Sequence, residues 1–226
     1  MRVQFPISYS QLDTRWAKNL LGFNTNAEFN FYNFACLICT LANISRYYGK
    51  DENPVTINDK LKALGAGKGF SAGGGNYVWG AITKLFSDIK EKKTETPGEL
   101  TDAQIGEIKT ALDSGFPVMF QIDVNPKTVT NDTHYVGVVD YNPQDENDFT
   151  IADPLGGQLV SLKKYLGWLR PSARKSIYKY VVYEGKKPAL TADTIPVPKD
   201  VWPNVVHGST EFDKVVGEYL PGRDPK

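Results

Sequence analysis

Cys36 is the residue in this sequence with the clearest potential for covalent chemistry. It begins a stretch, Cys36 to Tyr48, whose apolar residues recur at helical spacing. The N-terminus of a helix carries partial positive charge and unpaired N–H groups, which lower the pKa of a thiol and favour the reactive thiolate. A buried cysteine that only fills the core is the alternative, and position alone does not decide between the two.

His134 and Asp153 have the residue types that would complete such a site. His134, one of only two histidines, starts the β-like segment 134–141, and Asp153 ends the segment 149–153. The polar linker between these segments predicts an antiparallel hairpin, which places the two residues side by side. A carboxylate there fixes the tautomer of the imidazole that serves a cysteine nucleophile as its base. A histidine alone at a strand edge is more often structural, but the combination favours a Cys-His-Asp triad.

Cys36 and Cys39 also form a C-x-x-C pair, which is the pattern of thiol oxidoreductases. A thioredoxin-like site follows a strand in a βαβ setting, and no strand is evident before Cys36. A zinc site is disfavoured because a second pair of ligands is missing. The sequence predicts no metal and no cofactor.

Two other motifs resemble ligand-binding loops without their essential residues. The glycine-rich segment 65–76 contains GAGKGF but lacks the spacing and the Ser or Thr of a phosphate loop, so we expect a flexible rim of the substrate cleft. The polar segment 140–151 has neither the glycine nor the glutamate that a calcium loop requires, and a solvated turn is expected.

The elements that must position these residues follow an order of helices first and strands afterwards. Besides the Cys36 helix, helices are expected at 56–64 (Thr56 or Asn58 near its cap), 77–87 and about 102–114 (Thr101 or Asp102 as cap), and strands at 116–124, 134–141, 149–153 and 177–183. The charged segment 88–100 is expected to be a solvated connection. This order is typical of an α+β domain.

Composition excludes several classes of protein. The 226 residues include 26 basic and 26 acidic side chains, so the basic excess of a nucleic-acid-binding domain is absent. No apolar run approaches the roughly 20 residues of a membrane span. The start of the sequence lacks the apolar core of a secretory signal, so we expect a cytoplasmic protein until its release. Prolines concentrate after residue 187, which predicts a domain over 1–187 and a tail or linker over 188–226, with a possible short helix at 209–220.

Four segments together resemble one family. The segments are SQLDTRWAKNLLG (10–22), ACLICTLANISRYYGK (35–50), THYVGVVDY (133–141) and IADPLGG (151–157). The chain resembles the papain-like bacteriocin-processing (double-glycine) cysteine peptidases, especially the stand-alone branch of bacterial secreted proteins and phage lysins. The resemblance implies a papain-like α+β fold, with N-terminal helices packed on an antiparallel sheet.

The resemblance also implies roles and a substrate. Cys36 corresponds to the nucleophile, His134 to the base and Asp153 to the residue that orients the histidine, while Gln11 is the candidate oxyanion donor beside the Cys36 N–H. Ala35 stands where the family usually has Gly. The implied substrate is a peptide bond in peptidoglycan or a leader peptide after a double glycine, and we favour peptidoglycan, with a possible further C-terminal module. A catalytically inactive wall- or peptide-binding module and a C-x-x-C oxidoreductase remain as alternatives.

Overall fold

The structure is a computed structural model that describes residues 2–95, 99–124, 133–167 and 171–186. The predicted tail over 188–226, its boundary at 187 and the possible helix at 209–220 lie outside the described residues. Within the described ranges, no helix combines the length and apolar character needed to cross a membrane.

One antiparallel sheet of six strands forms the centre of the described part. Its strand order is β1-β6-β2-β3-β4-β5. The strands are β1 Ile89–Glu95, β2 Val118–Asp123, β3 Thr133–Asn142, β4 Asp145–Asp153, β5 Gln158–Ser161 and β6 Ile177–Gly185. Every neighbouring pair is antiparallel, as is typical of an α+β domain and not of an alternating parallel sheet. The predicted fold class is therefore confirmed.

The helices pack on this sheet and on one another. They are α1 Phe31–Phe34, α2 Cys36–Tyr47, α3 Pro54–Ala63, α4 Ala81–Leu85, α5 Asp102–Asp113 and α6 Ala173–Ser176, with a 3₁₀ helix at Leu162–Tyr165. Helix α2 contacts β3 and α3, and only Cys36 and Arg46 of its residues are not buried. A helix that is buried all round belongs to the core, so the residue at its start has a rigid support.

Capping residues set the starts of two helices. Thr101, one of the two predicted caps, caps α5, and it also forms a reciprocal capping box with Gln104. Helix α3 begins earlier than predicted, because Asn53 is its cap and Pro54 occupies its first turn, where proline loses no hydrogen bond. Thr56 lies inside the first turn of α3 and completes a capping box with Asn53.

Two predictions on the segment between α3 and α5 are wrong. Residues 77–87 are helical only over α4, because Gly80 has a positive φ of 84° and starts the helix there. Residues 89–95, expected to be a solvated connection, form β1 at the edge of the sheet, paired with β6. Lysines on an edge strand hinder pairing with other chains, so this charged composition is compatible with a strand.

The predicted hairpin of β3 and β4 is present, with longer strands than expected. Asn142 pairs with Asp145, so the turn is shorter than the polar linker 141–148 suggested, and bulges interrupt the pairing. The strand β5 and the 3₁₀ helix after it were not predicted. They follow the segment 153–157, whose turns bring the chain back along β4.

Candidate active site

Cys36 lies at the junction of two helices. Ala35 is the C-terminal cap of α1, its N–H donates to the carbonyl of Phe31, and α2 begins at the next residue. Ala35 is fully buried and has φ of −89°, so this backbone conformation does not require the glycine usual in the family. The side chain of Cys36 is partly exposed. The nucleophile candidate therefore combines a rigid backbone with an accessible sulfur.

Hydrogen-bonding interactions with the His134 side chain and with the backbone of Tyr135 and Leu37 favour the ionised form of the Cys36 thiol. Burial alone would raise the pKa of this thiol, but these hydrogen bonds and the charge of the imidazolium outweigh burial and hold the pKa below its ordinary value. A thiol with a lowered pKa has a larger thiolate fraction, and the thiolate is the nucleophile.

His134 connects Cys36 to Asp153. Its Nε2 lies 2.8 Å from Oδ1 of Asp153, which leaves Nδ1 for the hydrogen bond with the thiol. Burial would lower the pKa of His134, whereas the hydrogen bond with Asp153 and the contact with Cys36 raise it to about 9. An imidazolium that persists at neutral pH stabilises a thiolate beside it and can protonate a leaving amine.

The hairpin brings His134 and Asp153 together diagonally. Gly137 pairs with Ala152, so continuing the antiparallel register sets Val136, two residues after His134, level with Asp153. Diagonal neighbours on one face of a sheet are within reach of long side chains, and the imidazole spans the gap. The sequence predicted that His134 and Asp153 lie side by side. In the structure they lie on the same face of the sheet, offset by two residues along the strands.

Asp153 is almost completely buried and has four hydrogen-bond donors around it. Besides His134, Oδ1 accepts from the N–H of Leu155 at 2.9 Å. Oδ2 accepts from Lys164 Nζ at 2.6 Å and from the Tyr165 hydroxyl at 2.7 Å. Burial would raise the pKa of this carboxyl, but His134 and Lys164 hold it well below its ordinary value. Sequence reasoning missed Lys164 and Tyr165, because only the turn of the chain after β4 brings them back to Asp153.

Gln11 is held beside the site by its backbone and by its amide. Its N–H donates to the carbonyl of Pro154, and its Nε2 donates to the carbonyl of Tyr32 at 2.7 Å. The contact with a carbonyl identifies this end of the amide as nitrogen, which has a second hydrogen to donate. Gln11 lines the same cleft as Cys36 and His134, so the structure brings all four predicted residues to one place.

The cleft has a volume of about 640 Å³ and is bordered by aromatic and amide side chains. No Asp, Glu, Lys or Arg occurs among the described residues that line it. They are Gln11, Leu21, Asn24, Phe29, Asn33, Phe34, Cys36, Leu37, Ile38, Gly74, Gly75, Asn76, Tyr77, Trp79, Val124, Thr133, His134, Tyr135 and Leu155. The rings of Phe29 and Phe34 stack at 5.3 Å on its rim, and both are more than 40% exposed.

The glycine-rich segment forms part of one wall, as predicted. Gly74 and Gly75 line the cleft, and the carbonyl of Gly74 accepts from the N–H of Phe23. A Cβ on Gly75 would lie 2.5 Å from the amide nitrogen of Asn24, closer than real contacts allow. Glycine therefore leaves room here for the side chains of Asn24 and Leu21, which a larger residue would displace.

Cys39 lies within α2, fully buried, and neither cysteine forms a disulfide. Burial raises the pKa of its thiol well above the ordinary value, and the neighbouring Cys36 raises it further. A thiol that is inaccessible and protonated does not act as the second sulfur of a redox pair, so the geometry argues against the oxidoreductase interpretation. The described residues contain no group of three or more His, Cys, Asp or Glu able to hold a metal ion.

Comparison with known proteins identifies the family of the chain. A family model, that of the Peptidase_C39 like family, matches residues 9–176, a range that includes Gln11, Cys36, His134 and Asp153. A crystal structure of a candidate C39-like peptidase from Bacillus anthracis is similar, with a TM-score of 0.42 and 13% identity, covering 68% of this chain and 90% of that one. No curated protein matches the chain significantly. Because the family model spans more than half of the sequence, the chain belongs to the Peptidase_C39 like family, as its sequence motifs suggested.

Proposed function

We propose that this chain is a cysteine peptidase that hydrolyses amide bonds in the peptides of peptidoglycan, with Cys36, His134 and Asp153 as its catalytic triad. One observation carries the proposal. Cys36 is partly exposed in the cleft and interacts with the imidazole of His134, whose Nε2 lies 2.8 Å from a buried carboxylate. A nucleophile, a base and an orienting acid in contact are the requirement for covalent hydrolysis of an amide.

In the first half of the reaction, the Cys36 thiolate attacks the carbonyl carbon of the scissile amide. The oxyanion that develops is stabilised by the N–H of Cys36 and by the second hydrogen of Gln11 Nε2. His134 then gives its Nδ1 proton to the leaving amine, the C–N bond breaks, and a thioester remains on Cys36. The raised pKa of His134 keeps that proton available at neutral pH.

In the second half, water hydrolyses the thioester. His134 is now neutral and accepts a proton from the attacking water at Nδ1, while its Nε2–H remains on the carboxylate of Asp153. The same oxyanion donors act again, and the C–S bond breaks to release the acid and the Cys36 thiolate. Both halves use one imidazole nitrogen, which is the reason that Asp153 must hold the other.

The neutral walls of the cleft support a substrate of small, uncharged residues. Side-chain amides of Asn24, Asn33 and Asn76 can hydrogen-bond a peptide backbone, and apart from Cys36 and His134 of the proposed triad none of the described lining residues carries a charge. Short bridges of small residues in bacterial cell-wall peptides meet that description. A leader peptide that ends in two glycines meets it as well, and it is the competing substrate to be tested.

The test is mass spectrometry of purified muropeptides incubated with the protein. Wild-type protein should release two fragments whose masses sum to that of the substrate plus one water and which end at a defined amide, and the Cys36→Ala variant should release none. A synthetic peptide with a double glycine is incubated in parallel. Cleavage of that peptide alone would replace the wall substrate by a leader peptide, and no cleavage of either would favour an inactive binding module.

The thiol chemistry itself is tested without a substrate. Iodoacetamide should alkylate Cys36 stoichiometrically at pH 6 to 7, where an ordinary thiol is mostly protonated. Cys39→Ser is the matched control. Cys39 is buried and lies three residues after Cys36 in the same helix, so its replacement should not change the rate of Cys36 alkylation. Slow labelling at the rate of a free thiol would remove the support for an activated nucleophile.

A further inference from the structure

The carboxylate of Asp153 has two oxygens, and each faces a different cation. Oδ1 accepts from His134 on β3, and Oδ2 accepts from Lys164 at 2.6 Å and Tyr165 at 2.7 Å, both in the 3₁₀ helix. Asp153 and Tyr165 are each 1% exposed, and the side chain of Lys164 is 26% exposed. The contacts to Oδ2 lie on the side of the carboxylate away from the imidazole.

These contacts serve an electrostatic need of the buried site. An ionised carboxylate that is out of contact with water is costly unless donors and an opposite charge surround it. Among the described residues, four charged groups follow one another in this series of contacts: the Cys36 thiolate on α2, the His134 imidazolium on β3, the Asp153 carboxylate on β4 and the Lys164 ammonium. Their charges sum to zero, and each charge has an opposite neighbour.

We propose that Lys164 and Tyr165 are positioning residues of the peptidase, which hold the Asp153 carboxylate ionised and turned toward His134 throughout the reaction. This inference rests on the proposed function, since it concerns the same triad. It extends that function to two residues that do not line the substrate cleft.

Asp153 depends most on Lys164 after the first half of the reaction. Once His134 has given its proton to the leaving amine, Asp153 faces a neutral imidazole and has lost its nearest positive charge. Lys164 remains, so the carboxylate stays ionised and continues to accept the Nε2–H, which leaves Nδ1 free to act on the water. Without Lys164, the carboxylate can rotate or take up a proton, and the imidazole loses its orientation.

Because Lys164 does not line the cleft, its replacement should affect kcat and KM differently. A residue that acts only through Asp153 should affect kcat and leave KM within about twofold, because it removes no contact with the substrate. We expect Lys164→Met to lower kcat about tenfold and Tyr165→Phe to lower it severalfold. Lys164→Arg, which retains a charged donor, should recover kcat to within about threefold of wild type.

Lys163→Met is the matched control. Lys163 is the preceding residue in the same 3₁₀ helix, and its ammonium pairs with Asp145 at 2.7 Å on the surface. This variant makes the same substitution without touching Asp153, so its kcat should equal that of wild type. Thermal unfolding of all the full-length variants is measured beside the kinetics, because a purely structural role of Lys164 would lower the unfolding temperature and leave kcat unchanged below it.

A double-mutant cycle decides whether Lys164 acts through Asp153. In the Asp153→Asn background, Lys164→Met should change kcat by less than about twofold, since the carboxylate on which it acts is gone. The same tenfold loss in both backgrounds, or a wild-type kcat for Lys164→Met, would overturn the proposal.

Alkylation of Cys36 separates this inference from the proposed function. If Lys164 keeps Asp153 turned toward His134, the Lys164→Met variant has a less stable His134 imidazolium. The Cys36 thiolate beside it is then also less stable, so the midpoint of the pH dependence of iodoacetamide labelling moves to higher pH. The Asp153→Asn variant should shift this midpoint in the same direction. An unchanged or lowered midpoint would contradict the positioning role. This readout needs no substrate, so it decides the role of Lys164 even if the wild-type protein cleaves no peptide.

Discussion

Replacement of Asp153 by asparagine tests the electrostatic basis of the site. Asparagine has nearly the same size, and its oxygen can still accept from His134 and Leu155. Its amide nitrogen would then face the donors of Lys164 and Tyr165, in place of an oxygen that accepts from both. Lys164 can withdraw toward solvent, since its side chain is 26% exposed. The fold should survive, and the charge next to His134 is lost.

The size of the effect follows from the pKa of His134. The native environment raises this pKa from 6.5 to about 9, and the hydrogen bond with Asp153 is the largest of the contributions that raise it. Each pKa unit corresponds to about 1.4 kcal/mol, so loss of most of the shift destabilises the imidazolium by about 2 to 3 kcal/mol. We therefore expect kcat/KM near pH 9 to fall on the order of fiftyfold, because about half of the native imidazole is still protonated there and a pKa lowered by about two units leaves about one per cent protonated.

The assay is the pH dependence of kcat/KM on a cleaved peptide. In the wild type, activity should persist until pH rises through about 9, where His134 loses the proton that it must give to the leaving amine. In Asp153→Asn this basic limb should move down to about 7 or below, because burial then lowers the pKa of His134 without an opposing carboxylate. Asp145→Asn, on the same strand but paired with Lys163 at the surface, is the control and should leave the limb in place. A basic limb that stays near 9 in Asp153→Asn would refute the reasoning.

Three further substitutions test the remaining roles. Cys36→Ala should abolish hydrolysis with an unchanged circular dichroism spectrum, whereas Cys39→Ser should retain activity; activity of Cys36→Ala would show that another group is the nucleophile. His134→Ala should lower kcat on the order of a thousandfold, because the base and the acid are lost together. If His134→Ala lowers kcat less than Asp153→Asn does, the roles assigned to the two residues are reversed. Gln11→Ala should lower kcat about a hundredfold with little change in KM, as expected for an oxyanion donor; a raised KM at constant kcat would make Gln11 a substrate-binding residue.

The sequence predicted the helix of Cys36 and the hairpin of His134 and Asp153 because local patterns specify both. Helical spacing of apolar residues defined α2, and β-branched segments with a polar linker defined β3 and β4. Gln11 was identified through resemblance to a family, since nothing in its local sequence indicates an oxyanion donor. The structure places it in the same cleft as Cys36, through hydrogen bonds with the carbonyls of Tyr32 and Pro154.

The elements that the sequence did not predict have a common physical cause. Strand β1 is charged, and only its pairing with β6, the last strand described, makes it part of the sheet. The short strand β5 and the 3₁₀ helix with Lys164 likewise depend on the path that the chain takes after Asp153. Such contacts are specified by tertiary structure and leave no periodicity to recognise, which is why the second pair of donors on the Asp153 carboxylate could not be predicted.

The turn after Asp153 has a consequence for the nascent protein. The carbonyl of Pro154 accepts hydrogen bonds from the N–H of Gln11 and from the hydroxyl of Ser10, which is 144 residues away in sequence. During synthesis the ribosome releases Gln11 and Cys36 early, but the partner that anchors Gln11 emerges only after β4 is complete. A partly synthesised chain therefore has a thiol without its base, its acid or a fixed oxyanion donor. The proposed triad and the contact between Gln11 and Pro154 therefore cannot form until the chain has been synthesised past residue 154.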